Sequence, residues 1–217
     1  MNQSQFIQIE LLSDTTFSRG DGTAGVVDIE VEHDELGLPF LGGKTLRGLL
    51  HDSWLSMQHW FPELSSSAKL ILGSDADCQD RSILRIGDAV MDSETRKWIE
   101  MAEFRTNKPV SSIEVLEALT DIRRQTSEER STGAPAETTL RSVRVVLRDL
   151  KLLSPLYWLV NPTAPDLRCL SLALLATRHA GLGRNRGRGH IRLTLDGDVT
   201  KDARKNNMNK SQSRTTL

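Results

Sequence analysis

Two stretches with the apolar spacing of an amphipathic helix each lie between short runs that alternate like strands. That order constrains the fold more than any other feature of the chain. The first helical stretch opens at Gly42-Gly43-Lys44 and places Leu46, Leu49, Leu50, Trp54, Leu55 and Met57 on one stripe. It follows a strand-like run over Gln5 to Leu12 (Phe6, Ile7, Ile9, Leu11, Leu12) and precedes a second over Ser82 to Met91. The second helical stretch runs from Asp166 to Ala180. Pro165 and Asp166 suit its start, Leu167, Leu170, Leu174 and Leu175 its buried stripe, and Gly181 its C-cap. Val143 to Leu153 and Pro155 to Val160 read as strand before it, interrupted near Ser154-Pro155. His190 to Leu195 reads as a final strand after it. The order β-α-β-β-α-β predicts an α+β, ferredoxin-like (RRM-like) domain. RNA-recognition domains use this sheet, but so do many enzymes and metal-binding proteins, so function must come from the site.

The remaining segments have a different character. Ser13 to Gly25 is polar and Gly-rich and predicts a long loop of the kind that is usually functional. Val26 to Val31 reads as a short extended piece. The first helix is expected to fray near Phe61-Pro62, and Ser65 to Asp80 reads as irregular. Asp92 to Arg141 is charged and rich in Ser and Thr. It predicts an excursion between the second and third strands with one helix near Ile113 to Leu119. Lys201 to Leu217 has no core residues and reads as a disordered basic tail, leaving 1–200 as a single domain.

Composition narrows the function classes. With 28 Lys+Arg against 29 Asp+Glu the net charge is −1, so any nucleic-acid surface must come from local clustering. Cys78 and Cys169 match no zinc or redox spacing, which points to a reducing, cytoplasmic setting. No apolar run approaches a membrane span, and the first residues do not read as a signal peptide.

Three stretches are candidates for chemistry. Gly181 to Gly189 (GLGRNRGRG) interleaves four glycines with Arg184, Arg186 and Arg188. Glycines admit close backbone approach, and arginines add bidentate phosphate contacts. The spacing is not a dinucleotide fingerprint, and the loop follows a helix instead of opening one. Gly42-Gly-Lys-Thr-Leu-Arg-Gly48 resembles the end of a P-loop. However, Leu38 stands where the first glycine belongs and Pro39 spoils a central strand, which excludes nucleotide hydrolysis. A helix start carrying Lys44, Thr45 and Arg47 still offers an anion site. The acidic run Asp21, Asp28, Glu30, Glu32, His33, Asp34, Glu35 places Asp28 among apolar neighbours after the Gly-rich loop. A carboxylate there can orient a metal ion or a ribose hydroxyl, or it can be a solvated loop charge.

The five histidines, His33, His51, His59, His179 and His190, form neither HxxxH nor HExxH, so a His-based metal site is not expected. His51 and His59 read as packing residues, and Trp54, Trp60 and Phe61 as core. No GxSxG or Cys–His signature supports acyl transfer.

Taken in order, several motifs resemble the RAMP superfamily of CRISPR-associated proteins. Ser13 to Asp28 resembles the family's Gly-rich loop leading to an aspartate. Leu38-Pro39-Phe40-Leu41-Gly42-Gly43-Lys44-Thr45-Leu46-Arg47-Gly48 resembles the turn into its first helix. Arg85 to Met91, with Asp88-Ala89, resembles an internal strand. Thr120-Asp-Ile-Arg-Arg-Gln-Thr126 with Ser131-Thr-Gly-Ala134 resembles a middle segment, and Gly181 to Gly189 the family's glycine-rich loop. Within the superfamily the chain looks most like the repeating backbone subunit of type III effector complexes.

That resemblance implies a ferredoxin-like palm with a thumb inserted at about 92–141. It implies binding to CRISPR guide RNA and target RNA in the cytoplasm, beside further RAMP subunits and a large polymerase-like subunit. It also implies metal-dependent endoribonuclease activity, with Asp28 as catalytic residue and candidate ligand for Mg or Mn. The implied RNA contacts are Arg19, Lys44, Thr45, Arg47, Arg123, Arg124, Gly181, Gly183, Arg184, Arg186, Gly187, Arg188 and Gly189. The alternative is a non-catalytic RAMP subunit that caps or measures the guide.

Overall fold

A computed structural model of the chain describes residues 5–73, 82–102, 110–126, 129, 131–134, 136 and 139–196. It is an α+β structure with antiparallel sheets. The larger sheet joins β1 (Phe6–Leu11), β2 (Leu84–Ile86), β5 (Lys151–Trp158) and β6 (Ile191–Leu195) in the order β2-β5-β1-β6. β1 is central because its alternation buries Ile7, Ile9 and Leu11 completely, while Phe6, Gln8 and Glu10 stay half-buried. Ile9 lies opposite Leu152 on one side and Leu193 on the other, so three strands feed the same core layer.

Helices α1 (Gly43–Met57), α2 (Ser65–Leu72) and α5 (Ala164–Ala176) close that core with Leu46, Leu50, Trp54, Ile71, Leu170 and Leu174. The smaller sheet is a hairpin of β3 (Thr120–Gln125) and β4 (Arg141–Val146), approached through α3 (Ser93–Glu100) and α4 (Ser112–Leu119).

Several sequence expectations are corrected. Ser65 to Leu72 is a helix, not irregular, because Ala68, Ile71 and Leu72 present one buried face that outweighs the weak propensity of its three serines. The excursion holds α3 and a strand besides the expected helix. Asp92 starts α3 by accepting hydrogen bonds from the backbone N–H groups of Glu94 and Thr95.

The break in the later strand falls at Arg148-Asp149, where Asp149 adopts φ 70°, and not at Ser154-Pro155. β4 therefore pairs in the hairpin instead of the larger sheet, and β5 runs through Pro155. The Pro155 carbonyl accepts from Gly87, and the Ser154 hydroxyl donates to the Gly87 carbonyl, so the missing N–H is tolerated. α5 ends at Thr177, whose hydroxyl donates back to Ala173. Gly181 lies beyond, in a turn, and does not cap the helix. Trp60 is 73% exposed, not core, and its ring tilts against exposed His59 at 4.7 Å. The second strand narrows to β2, with Ala89 and Val90 held by single bridges to Leu41 and Leu153. The tail 201–217 lies outside the described residues.

The Gly42-Gly43 turn has a steric reason. A Cβ on Gly43 would overlap the carbonyl oxygen of Ile86 and reach within 2.8 Å of the Gly87 backbone. Alanine normally favours a helix over glycine by about 1 kcal/mol. Here overpacking of about 1–3 kcal/mol opposes that gain, so Gly43→Ala is expected to lower the thermal midpoint by several degrees. An unchanged or raised midpoint would show that α1 yields freely.

Candidate nucleic-acid interface

The Gly181–Gly189 segment is built tightly onto the fold. Gly181, Gly183, Gly187 and Gly189 all have φ near +75°, a region that L side chains rarely adopt. A Cβ on Gly181 would strike the Thr16 carbonyl, and one on Gly189 the Ala180 carbonyl. Backbone bonds from Leu182 to Thr16 (3.1 Å) and from Gly189 to Asp14 (3.0 Å) fasten the segment to the loop after β1. Between the glycines, Arg184–Arg186 form one 3-10 turn. The turn lines an open cavity of about 590 Å³ with His179, Gly181, Leu182, Gly183 and Asn185.

The arginines have distinct surroundings. Gln125, at the end of β3, accepts hydrogen bonds from Arg186 (3.0 Å) and Arg188 (2.6 Å). Arg184 is exposed and has no partner among the described residues. On the same face of β3, Arg123 donates to Asp14 at 2.9 Å and lies 3.0 Å from Asp121. The hydrogen bond to Asp14 and the Asp121 charge raise its already high pKa. The hairpin thus meets the Gly181–Gly189 loop through Gln125 and the loop after β1 through Arg123. Gln125 carries no local sequence signal for this role, because its partners lie about sixty residues away.

Asp28 lies on the other edge of the hairpin. Its N–H donates to the Ser142 carbonyl (3.0 Å), and its Oδ2 accepts from the Ser142 N–H (2.6 Å) and hydroxyl (3.0 Å). These bonds, backbone first, and the nearby Arg141 charge hold the exposed Asp28 carboxyl below the usual carboxylate range. Among the described residues Oδ1 has no partner, so it faces solvent as a single free carboxylate oxygen. Exposed Arg124 stands directly opposite Ser142 in the β3–β4 register.

Two residues on, Glu30 is 2% exposed and pairs with Arg144, 7% exposed, at 2.7 Å. Glu30 also accepts from the Val31 N–H and the Thr23 hydroxyl, and Arg144 donates to the Thr120 hydroxyl. This buried pair ties the Asp28 loop to both strands of the hairpin.

The other expected contacts are scattered. Lys44 and Thr45 are exposed in the first turn of α1. The Asp88 carboxylate already takes the Gly43 N–H at 2.7 Å, so the chain supplies its own anion at that helix start. Arg47 donates to the Leu72 carbonyl at 3.0 Å and packs against Gly73, which gives it a structural anchor at the end of α2. Arg19 bonds Asp21 at 2.8 Å. Of the acidic run, Asp34 pairs with Arg96 and accepts from the Leu36 and Leu38 N–H groups. No group of three or more His, Cys, Asp or Glu that could hold a metal occurs among the described residues. A divalent ion here would have Asp28 Oδ1 as its protein ligand and phosphate and water for the rest. Mg²⁺ accepts that donor set readily.

No family model matches the chain, and no curated protein does. The fold itself has solved counterparts. A chain of the type III-B Cmr-beta complex bound to cognate target RNA superposes with a TM-score of 0.66, covering 91% of this chain and 98% of that one at 13% identity. The two chains share one fold. The apo state of the same complex gives a TM-score of 0.65 over 90% of this chain and 98% of that one, again at 13% identity. No helix among the described residues is long and apolar enough to cross a membrane.

Proposed function

We propose that this chain is an RNA-binding backbone subunit of a type III CRISPR effector complex and that it cleaves guide-complementary target RNA. The observation that carries the reading is the loop whose positive-φ glycines present Arg184 and Arg186 at an open cavity with Arg188 beside them in the chain, on a fold shared with a chain of the type III-B Cmr-beta structure. The four-stranded sheet with its helices is the palm, and the β3–β4 hairpin with α3 and α4 is the thumb. Guanidinium groups on phosphates position an RNA without reading its bases, so any guide sequence is accepted. Arg123, on the face of β3 that carries Gln125, adds a further guanidinium beside the loop.

For cleavage, the ribose 2′-oxygen gives its proton to water and attacks the adjacent phosphorus, the bond to the 5′-oxygen breaks, and that oxygen takes a proton from water, leaving a 2′,3′-cyclic phosphate and a 5′-hydroxyl. A divalent ion would stabilise charge on the phosphate oxygens. Asp28 is a poor base because Ser142 stabilises its ionised form. Its role is to orient the 2′-hydroxyl or hold the cation through Oδ1. The second reading is a subunit that binds without cutting. The Ser142 bonds favour it to this extent: they give Asp28 a structural task, joining its loop to β4.

The binding half is tested by replacing Arg184, Arg186 and Arg188 together with Ala. At about 1.5–3 kcal/mol per charged hydrogen bond, guide affinity should fall at least 100-fold. The loss should be equal for unrelated guides, with a flatter salt dependence. Unchanged affinity would leave the loop as a turn only.

A further inference from the structure

His179 and His190 belong to no metal-binding motif in the sequence, yet the fold brings them face to face. They pair across an antiparallel bridge, which puts both side chains on one face as cross-strand neighbours. Their rings stack with centroids 5.4 Å apart and planes 26° from parallel. Both residues are exposed, and neither ring nitrogen has a partner among the described residues. The backbone beneath them is firmly held. Ala180 donates to Gly189 (2.9 Å), Ile191 to Arg178 (2.9 Å), and the His190 N–H to the Ser13 hydroxyl (2.9 Å). His179 also lines the cavity that Arg184, Asn185 and Arg186 enclose.

Two stacked rings at the surface, one of them on the wall of a cavity that Arg184 and Arg186 also line, make a two-part site. The arginines suit a phosphate, and a ring face beside them suits the flat base of the same nucleotide. Leu182, 44% exposed, adds an apolar wall, and Asn185 adds an amide at the rim. From this juxtaposition we infer that the His179–His190 stack is a platform for one unpaired nucleobase of the bound RNA, with its phosphate held by Arg184 and Arg186. The inference rests on the RNA-binding reading above and names how one nucleotide is seated. Stacking of this kind tolerates any base, because every base has a π-face, so the platform keeps the guide sequence free.

The test uses the chain assembled with guide RNAs that carry 2-aminopurine at successive single positions, and matched guides with an abasic site at each. Wild-type protein should quench 2-aminopurine at the seated position. His179→Ala should abolish that quenching and weaken binding about tenfold. His179→Phe should restore both, which separates loss of a stacking face from loss of a titratable group or of folding. The abasic guide should bind wild type about as weakly as the full guide binds His179→Ala. Tight guide binding with no quenched position, and with His179→Ala and abasic guides binding at the parent level, overturns the platform while leaving the RNA reading intact. Failure of the wild type to bind any guide overturns both.

Discussion

Asp28→Asn should leave guide and target binding at the parent level while target cleavage by the assembled complex falls at least about 100-fold, the worth of a few kcal/mol of lost charge stabilisation. The substitution keeps an acceptor oxygen for the Ser142 N–H and hydroxyl, so the loop stays joined to β4. It replaces the second carboxylate oxygen with an NH₂ group, which neither holds a cation nor accepts a hydrogen bond from the 2′-hydroxyl. The pH behaviour follows from the same bonds. Because the folded pKa lies below the ordinary value of 3.8, the charge-dependent bonds to Ser142 are complete above that value and are lost as pH falls through the lower, folded one. Any change in cleavage between pH 5 and 8 therefore comes from another group. A solvated loop carboxylate would give an Asp28→Asn complex that cuts like its parent at saturating metal.

Arg144→Ala has the largest expected effect on stability. It leaves the Glu30 carboxylate buried with only the Val31 N–H and Thr23 hydroxyl as donors, and breaking such a pair destabilises by about 3–5 kcal/mol. Because Glu30 is two residues from Asp28, the same change should loosen the Asp28 loop and lower cleavage in the surviving folded protein. Combining Arg144→Met with Glu30→Gln removes both charges and keeps an acceptor for Val31. Chemical denaturation should show the double variant recovering at least half of the loss. A double variant no more stable than Arg144→Ala would mean that the charges are not the source of the effect.

Much of the larger sheet is legible because its signals are local. The alternation of β1 and the stripe of α1 each declare themselves within one element, as does the GLGRNRGRG run. What escapes reading is non-local. Gln125 looks like an ordinary residue of the charged excursion, and Ser142 and Arg144 like ordinary residues at the start of the strand that follows it. Their roles arise only when β4 lies beside residues 28–30 and β3 meets the Gly-rich loop, with partners up to 114 residues away. The strand break was misplaced for a related reason. Ser154-Pro155 is a strong local breaker, whereas Asp149, the residue that turns, carries a weaker signal and is held by a bond to the Leu11 carbonyl. The motif singles out Asp28 in the sequence as a candidate, while the bonds from Ser142 that lower its basicity come from across the fold.

The claim that this chain grips a guide RNA through phosphate is tested most directly by a salt titration of binding. The protein is assembled with three guides of equal length and unrelated sequence, and affinity is measured from about 50 to 200 mM salt, a range over which phosphate-driven binding weakens steeply. The account predicts equal affinities for the three guides, a steep and common slope, and a shallower slope for the Arg184, Arg186 and Arg188 triple alanine variant. Salt-independent binding, or tight binding of one guide alone, would contradict it.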